Sequence, residues 1–155
     1  MDNNRMSKKI DRISFQLGMI NCFAEMVACG VKKLAISPPI SPEDYEVIGK
    51  LSNNIVKGFG IQSYLERSLL ITDLQPEEFT ADKWSILYYE SEEILEEYLV
   101  LKEKKRQLER SGRYNREAGR EMARAFMRLL SYPEDKTEEK LSKETPSSPY
   151  MLTDD

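Results

Sequence analysis

Residues 7–30 carry two apolar series on one helical period. Ile10, Ile13, Leu17, Ile20, Ala24 and Val27 recur at alternating steps of three and four. Phe15, Met19, Cys22, Met26 and Cys29 recur in the same way. The offset of two residues turns the second series about 200° from the first. Gly30 supplies a C-terminal stop. A helix that is apolar on opposed faces cannot lie on a surface with one side in water. It has to be sandwiched, inside its own domain or between two chains. The sequence therefore predicts a homo-oligomer, most simply a dimer.

Between the two faces runs a narrow polar strip of Asp11, Ser14, Gly18, Asn21 and Glu25. A carboxylate wedged between buried faces is costly unless it is paired or wet. Glu25 is thus the candidate general base or ligand anchor, with Asn21 orienting it. The plainer alternative is a water-facing seam, or a buried polar contact that fixes helix register. Gly18 would leave room for a ligand or a second helix. Cys22 and Cys29 lie seven residues apart on this helix. Their Cα atoms are then about 10 Å apart, beyond the roughly 7 Å a disulfide can span. They read as small buried hydrophobes, with a contact between symmetry mates across a dimer as the sharper alternative.

The remaining elements follow by local signals. Val31–Ser37 reads as a short strand, broken by Pro38 and Pro39. Ser41-Pro42-Glu43-Asp44 is a helix start. That helix directs Val47, Ile48, Leu51 and Ile55 inward and stops at Gly58. A second strand lies within residues 61–73, strongest at Ser68–Thr72, and a polar connection with Pro76 follows. Trp84–Tyr89 is a third, aromatic-rich strand. Ser91 opens a long helix, acidic at its start and basic at its end, as the helix dipole favours. Ser111-Gly112 turns the chain into a last helix from Asn115 to Ser131, carrying Ala118, Met122, Ala125, Phe126 and Leu129 on one side.

The order α-β-α-β-β-α-α predicts an α+β fold, a small α/β sandwich. Its three-stranded mixed sheet is built on one right-handed βαβ crossover and covered by helices. Residues 91–131 form a C-terminal helical hairpin. Residues 1–131 make the single domain. Residues 132–155 shift to charge, Ser and Pro and read as a flexible tail. Within it, Tyr150, Met151 and Leu152 could lie on a neighbour's groove.

Composition narrows the chemistry. At 155 residues the chain can bury a core without disulfides or a structural metal. It holds no histidine, so Ser-His-Asp and Cys-His nucleophile systems and His-ligated metal sites are excluded within one chain. No metal site and no cofactor is expected. The N-terminus lacks a secretory pattern, and no apolar run reaches the about 18 residues a membrane span needs. The expected location is cytoplasmic, without membrane contact.

The most conspicuous charged feature is an arginine stripe, Arg116, Arg120, Arg124 and Arg128, at steps of four. Residues 102–128 hold ten basic and four acidic side chains within a chain of net charge −4. The stripe is the candidate site for a ligand or an acidic protein partner, since arginine forks match carboxylates and phosphates. The plainer alternatives are a solvated face partly neutralised by Glu117 and Glu121, or pairing with the acidic start of the preceding helix in the same or a neighbouring subunit. No aromatic is interleaved, which disfavours nucleic acid. The turn Ser37–Ser41 reads as helix capping, because Pro42, Glu43 and Asp44 disfavour a bound phosphate there. Gly58-Phe59-Gly60 lacks the third glycine and the context of a dinucleotide fingerprint. Tyr64, Trp84, Tyr88 and Tyr89 read as core before pocket.

Three functions remain. The first is a homo-oligomeric, non-catalytic binding or protein-interaction module. The second is a small histidine-free enzyme or enzyme subunit. Its acid/base work would fall to Glu25, Asp44, Asp73, Tyr88 or a lysine, with Mg²⁺ held by carboxylates as an option. The third is phosphate or nucleic-acid binding through the arginine stripe.

Overall fold

The architecture centres on one strand whose five residues are all buried, β3 (Ser85–Tyr89). A computed structural model describes residues 10–75 and 80–143. β3 is flanked by β1 (Leu34–Ile36) and β2 (Gln62–Glu66), giving the order β1-β3-β2. Leu34 faces Tyr89 and Ile36 faces Leu87 on one edge, while Gln62 faces Tyr89 and Glu66 faces Ser85 on the other. Both pairings are antiparallel, so the sheet is antiparallel and not mixed. β1 and β2 run parallel to each other, but β3 lies between them. The crossover between them therefore spans an intervening strand.

Alternation along the strands sorts the core into two halves. Leu34, Leu87 and Tyr89 join Tyr98, Met122 and Phe126 on one face. Ala35, Ile86 and Tyr88 join Ile20, Ala24, Val27, Ile48 and Val56 on the other. The first half is covered by α3 (Glu92–Arg110) and α4 (Arg116–Leu129), the second by α1 (Arg12–Ala28) and α2 (Pro42–Phe59). The result is the expected α+β fold, with helices on both faces of a small sheet.

Local chemistry sets the helix ends. Asp11 caps α1, its carboxylate accepting from Ser14 N at 2.8 Å. Gly30, at φ 76°, ends the helix turn where an L side chain would be strained. The helical pattern expected before Ile10 lies outside the described residues. Arg12 of α1 pairs with Asp44 of α2 at 2.9 Å. Ser41 holds the N-cap position of α2 without a side-chain capping bond, and the helix runs past Gly58 to Phe59, ending on the left-handed Gly60. α2 is also rotated from its expected facing. Val47 and Leu51 are exposed, and Ile48, Ser52 and Val56 point to the core. Ser52 belongs inside because its hydroxyl shares a 2.7 Å hydrogen bond with the buried Tyr88 hydroxyl.

β1 is shorter than residues 31–37 suggest, yet Ser37 extends its ladder. Ser37 N donates to Ile86 O, and Ser37 Oγ accepts from Ile86 N, each at 2.9 Å. The pairing resumes across the prolines at Ile40 and Trp84.

The second strand is displaced from its expected place. It occupies Gln62–Glu66, and Ser68–Thr72 form no strand. Side chains satisfy the backbone of this segment instead. Glu66, buried on the sheet edge, accepts from Ser68 N at 2.9 Å, from the Tyr98 hydroxyl at 2.7 Å and from Lys102 Nζ at 2.9 Å. The Tyr98 hydroxyl accepts from Leu70 N at 3.0 Å, and Lys105 Nζ donates to Ile71 O at 2.7 Å.

Composition predicts a tail from Tyr132, but α5 (Glu134–Leu141) is a further helix packed on α4 through Thr137 and Leu141. Residues 144–155, with Tyr150, Met151 and Leu152, lie outside the described residues.

Candidate functional site

α4 presents the arginine stripe, and α5 lies along much of it. Arg124 Nε donates to Glu138 Oε1 at 2.6 Å, and its Nη1 donates to Glu121 Oε1 at 2.9 Å. Arg128 Nε lies 3.6 Å from Glu134. Arg120 Nη1 reaches Leu141 O at 3.5 Å, the C-terminal end of α5. The hydrogen bond from Arg124 holds the Glu138 carboxyl below its ordinary value, and Glu138 in turn raises Arg124. The stripe thus serves first as the seat of α5. The acidic start of α3 does not supply the internal partner. Glu93, Glu96 and Glu97 border a shallow depression that Arg128 and Lys33 share, without an ion pair among the described residues. Arg116 and Arg120 line a smaller depression of about 300 Å³ with Asp73, Lys140 and Lys143. Asp73 can approach α4 there because residue 119 is glycine. A Cβ at that position would stand 2.7 Å from Asp73 Oδ2.

The candidate acid/base groups are scattered. Asn21 and Glu25 are both exposed on α1, which makes their strip a water-facing seam. Asp11 is consumed by capping, and Asp44 pairs with Arg12. Tyr88 lies in the core with its ionisation driven upward by burial, so it cannot serve as a base near neutrality. Tyr88 and Tyr89 face opposite halves of the core. Trp84 packs edge-on against Tyr45, with the Arg67 guanidinium 4.9 Å from its ring centroid. Among the described residues no cluster of acidic or thiol side chains could hold a metal ion.

Both cysteines are exposed and unpaired, which corrects their reading as buried hydrophobes. The second apolar face of α1 explains the difference. It does not enter the core, and it forms one wall of a cleft of about 780 Å³. Phe15, Gly18, Met19, Cys22 and Phe23 line this wall. Opposite them stand Ile36, Pro39, Leu69, Leu130 and Tyr132, contributed by β1, the loop after β2 and the end of α4. Lys32 sits at the same cleft with Nζ 5.0 Å from the centroid of the Tyr132 ring. Burial lowers its pKa. Gln75 also lines the cleft, and its Oε1 is buried without a hydrogen-bond partner among the described residues.

The sequence contained half of this site, the face of Phe15, Met19 and Cys22. Lys32, Leu69, Gln75, Leu130 and Tyr132 carry no shared local pattern and meet only through the tertiary fold. One long-range contact helps close that end of the molecule: Lys33 N donates to Ser131 Oγ at 2.9 Å, where the chain turns at a positive φ of 66°.

The fold and site therefore define a small α+β protein with an apolar cleft against its first helix. No family model matches the chain, and neither a curated protein nor a solved structure does. No helix among the described residues is long and apolar enough to cross a membrane.

Proposed function

We propose that this chain is a non-catalytic binding module whose binding surface is the cleft along the outer face of α1. The observation that carries the reading is the alignment of a second apolar helix face with a concave space of about 780 Å³. Ligand sites are commonly clefts of this size, apolar with a few polar groups. The wide separation of Glu25, Asp44, Asp73 and Tyr88 supports binding over catalysis. Two unpaired thiols suit a reducing, cytoplasmic setting.

The neutral fluorophore N-phenyl-naphthylamine tests the reading. It should bind the full chain in a saturable, one-to-one manner with enhanced emission. Gly18→Leu should remove that binding. A Cβ at Gly18 meets no atom within 4 Å, so the larger side chain fills the cleft without disturbing the core. Unsaturable emission, or equal binding by the variant, would overturn the proposal.

Self-association is a second reading, supported by Met26 and Val31, which are 40% and 65% exposed beside the cleft. Light scattering at micromolar concentration should give twice the chain mass. A monomer there removes this reading and leaves the cleft proposal intact.

A further inference from the structure

Lys32 is the single charged side chain among the described residues that line the cleft. The half-buried lysines of α3 have acceptors. Lys102 meets Glu66, and Lys105 meets Ile71 O and lies 3.6 Å from Glu109. Lys32 has only the Tyr132 ring, and no carboxylate pairs with it among the described residues. A partly desolvated ammonium at one end of an apolar space is complementary to a ligand with one anionic head and a hydrocarbon body. A phosphate would call for an arginine fork or several charged donors, and among the described residues the cleft wall carries one ammonium, with only neutral hydroxyl and amide groups beside it.

We infer that the cleft takes an aliphatic monocarboxylate, with its chain along Phe15, Met19 and Phe23 and its carboxylate on Lys32 Nζ. The inference rests on the cleft being the binding surface and adds the ligand class. The bonding is non-covalent, a charge-assisted hydrogen bond plus burial of methylenes.

The experiment is displacement of N-phenyl-naphthylamine from the full chain by decanoate, octanoate and decanol, below their micellar concentrations. Decanoate should bind about tenfold more tightly than decanol, the worth of a charge-assisted hydrogen bond over a neutral one. Octanoate should bind roughly fifteenfold more weakly than decanoate, for two fewer buried methylenes. Lys32→Met should abolish the preference for decanoate, weakening decanoate by about tenfold or more and decanol by much less. Lys32→Arg should preserve the preference, and it keeps the test decisive should the methionine variant fail to fold. Bound decanoate should slow the reaction of Cys22, which lines the cleft, with a thiol reagent and leave Cys29 unaffected.

Equal binding of decanoate and decanol would overturn the carboxylate assignment and leave the apolar cleft standing. So would a bound fluorophore that decanoate cannot displace. Protection of Cys29 in place of Cys22 would move the ligand elsewhere and overturn the inference. Failure of the fluorophore itself to bind would sink the binding-module reading with it.

Discussion

Glu66 shows how one side chain redirects a segment of chain. Glu66 is only 4% exposed, yet its carboxylate accepts four contacts from three donors, Ser68 N, the Tyr98 hydroxyl and, twice, Lys102 Nζ. A buried carboxylate is tolerable when its lone pairs are filled in this way. Glu66→Ala would leave Ser68 N, Tyr98 and Lys102 without their acceptor and should cost about 3 kcal/mol. Lys102→Ala should cost less, about 2 kcal/mol, because the carboxylate it leaves buried keeps Ser68 N and the Tyr98 hydroxyl as donors. Urea unfolding of the two variants checks the order. Equal losses would mean that the carboxylate is not the hub. Gly18 offers the opposite case. Its added Cβ meets nothing within 4 Å, and it sits inside a helix. Gly18→Ala should therefore stabilise the chain by about 0.5–1 kcal/mol, the difference in helix propensity. A loss of stability in the same unfolding measurement would show a backbone need that the space around it does not reveal.

At the scale of elements, what was legible in the sequence was mostly local. Asn115 caps α4 through Ala118 N at 2.8 Å, and Gly30 stops α1 with positive φ, whereas α2 passes the expected Gly58 and ends on Gly60. Such signals lie within a few residues of the end they set. β2 was not legible in its true place because the side chains that satisfy Leu70 N and Ile71 O, Tyr98 as acceptor and Lys105 as donor, come from α3, about 30 residues onward. α5 was hidden for a related reason. Its sequence EDKTEEKL has only Thr137 and Leu141 buried, so hydrophobic periodicity is silent, and its partner is the arginine stripe of another helix. The docking of α5 should respond to acid. Glu138 is held below the ordinary glutamate value of 4.5 by Arg124. Its contribution is complete above that ordinary value and is lost as pH falls through the lower folded value. Amide protection in Glu134–Leu141, corrected for the intrinsic pH dependence of exchange, should then fall as pH drops below the ordinary glutamate value, before the core opens. Glu138→Gln should already exchange quickly at neutral pH and change little on acidification. The same exchange profile in both proteins would show that apolar contact alone seats α5. Glu138 is exposed and Arg124 only half-buried, so added salt should weaken the docking as well.

Across the whole molecule, β3 is the shared wall of two cores, and this decides how the chain should unfold. Leu87 and Tyr89 belong to the half with Phe126, and Ile86 and Tyr88 to the half with Ile48. Two halves built on separate strands could melt apart, whereas alternate residues of one strand cannot be ordered on one side only. The two-faced opening helix predicted burial on both sides, yet only its first face enters the core, and Cys22, Met26 and Cys29 of the second are exposed. It could not say that the second face would border a cleft, because the opposite wall comes from Leu69 and Leu130, far away in sequence. The shared strand makes a measurable claim. Phe126→Ala removes a fully buried ring that packs on Tyr98, with centroids 6.0 Å apart, and should cost about 3–5 kcal/mol. The single tryptophan, Trp84, reports from the opposite half, where it touches Tyr45 and pairs with Ile40. In urea its fluorescence should shift to the same lowered midpoint as the helical circular dichroism, as a two-state domain requires. If Trp84 kept the wild-type midpoint while helix signal was lost early, the α1–α2 half would be an independent folding unit. The sheet would then join the two halves without coupling them.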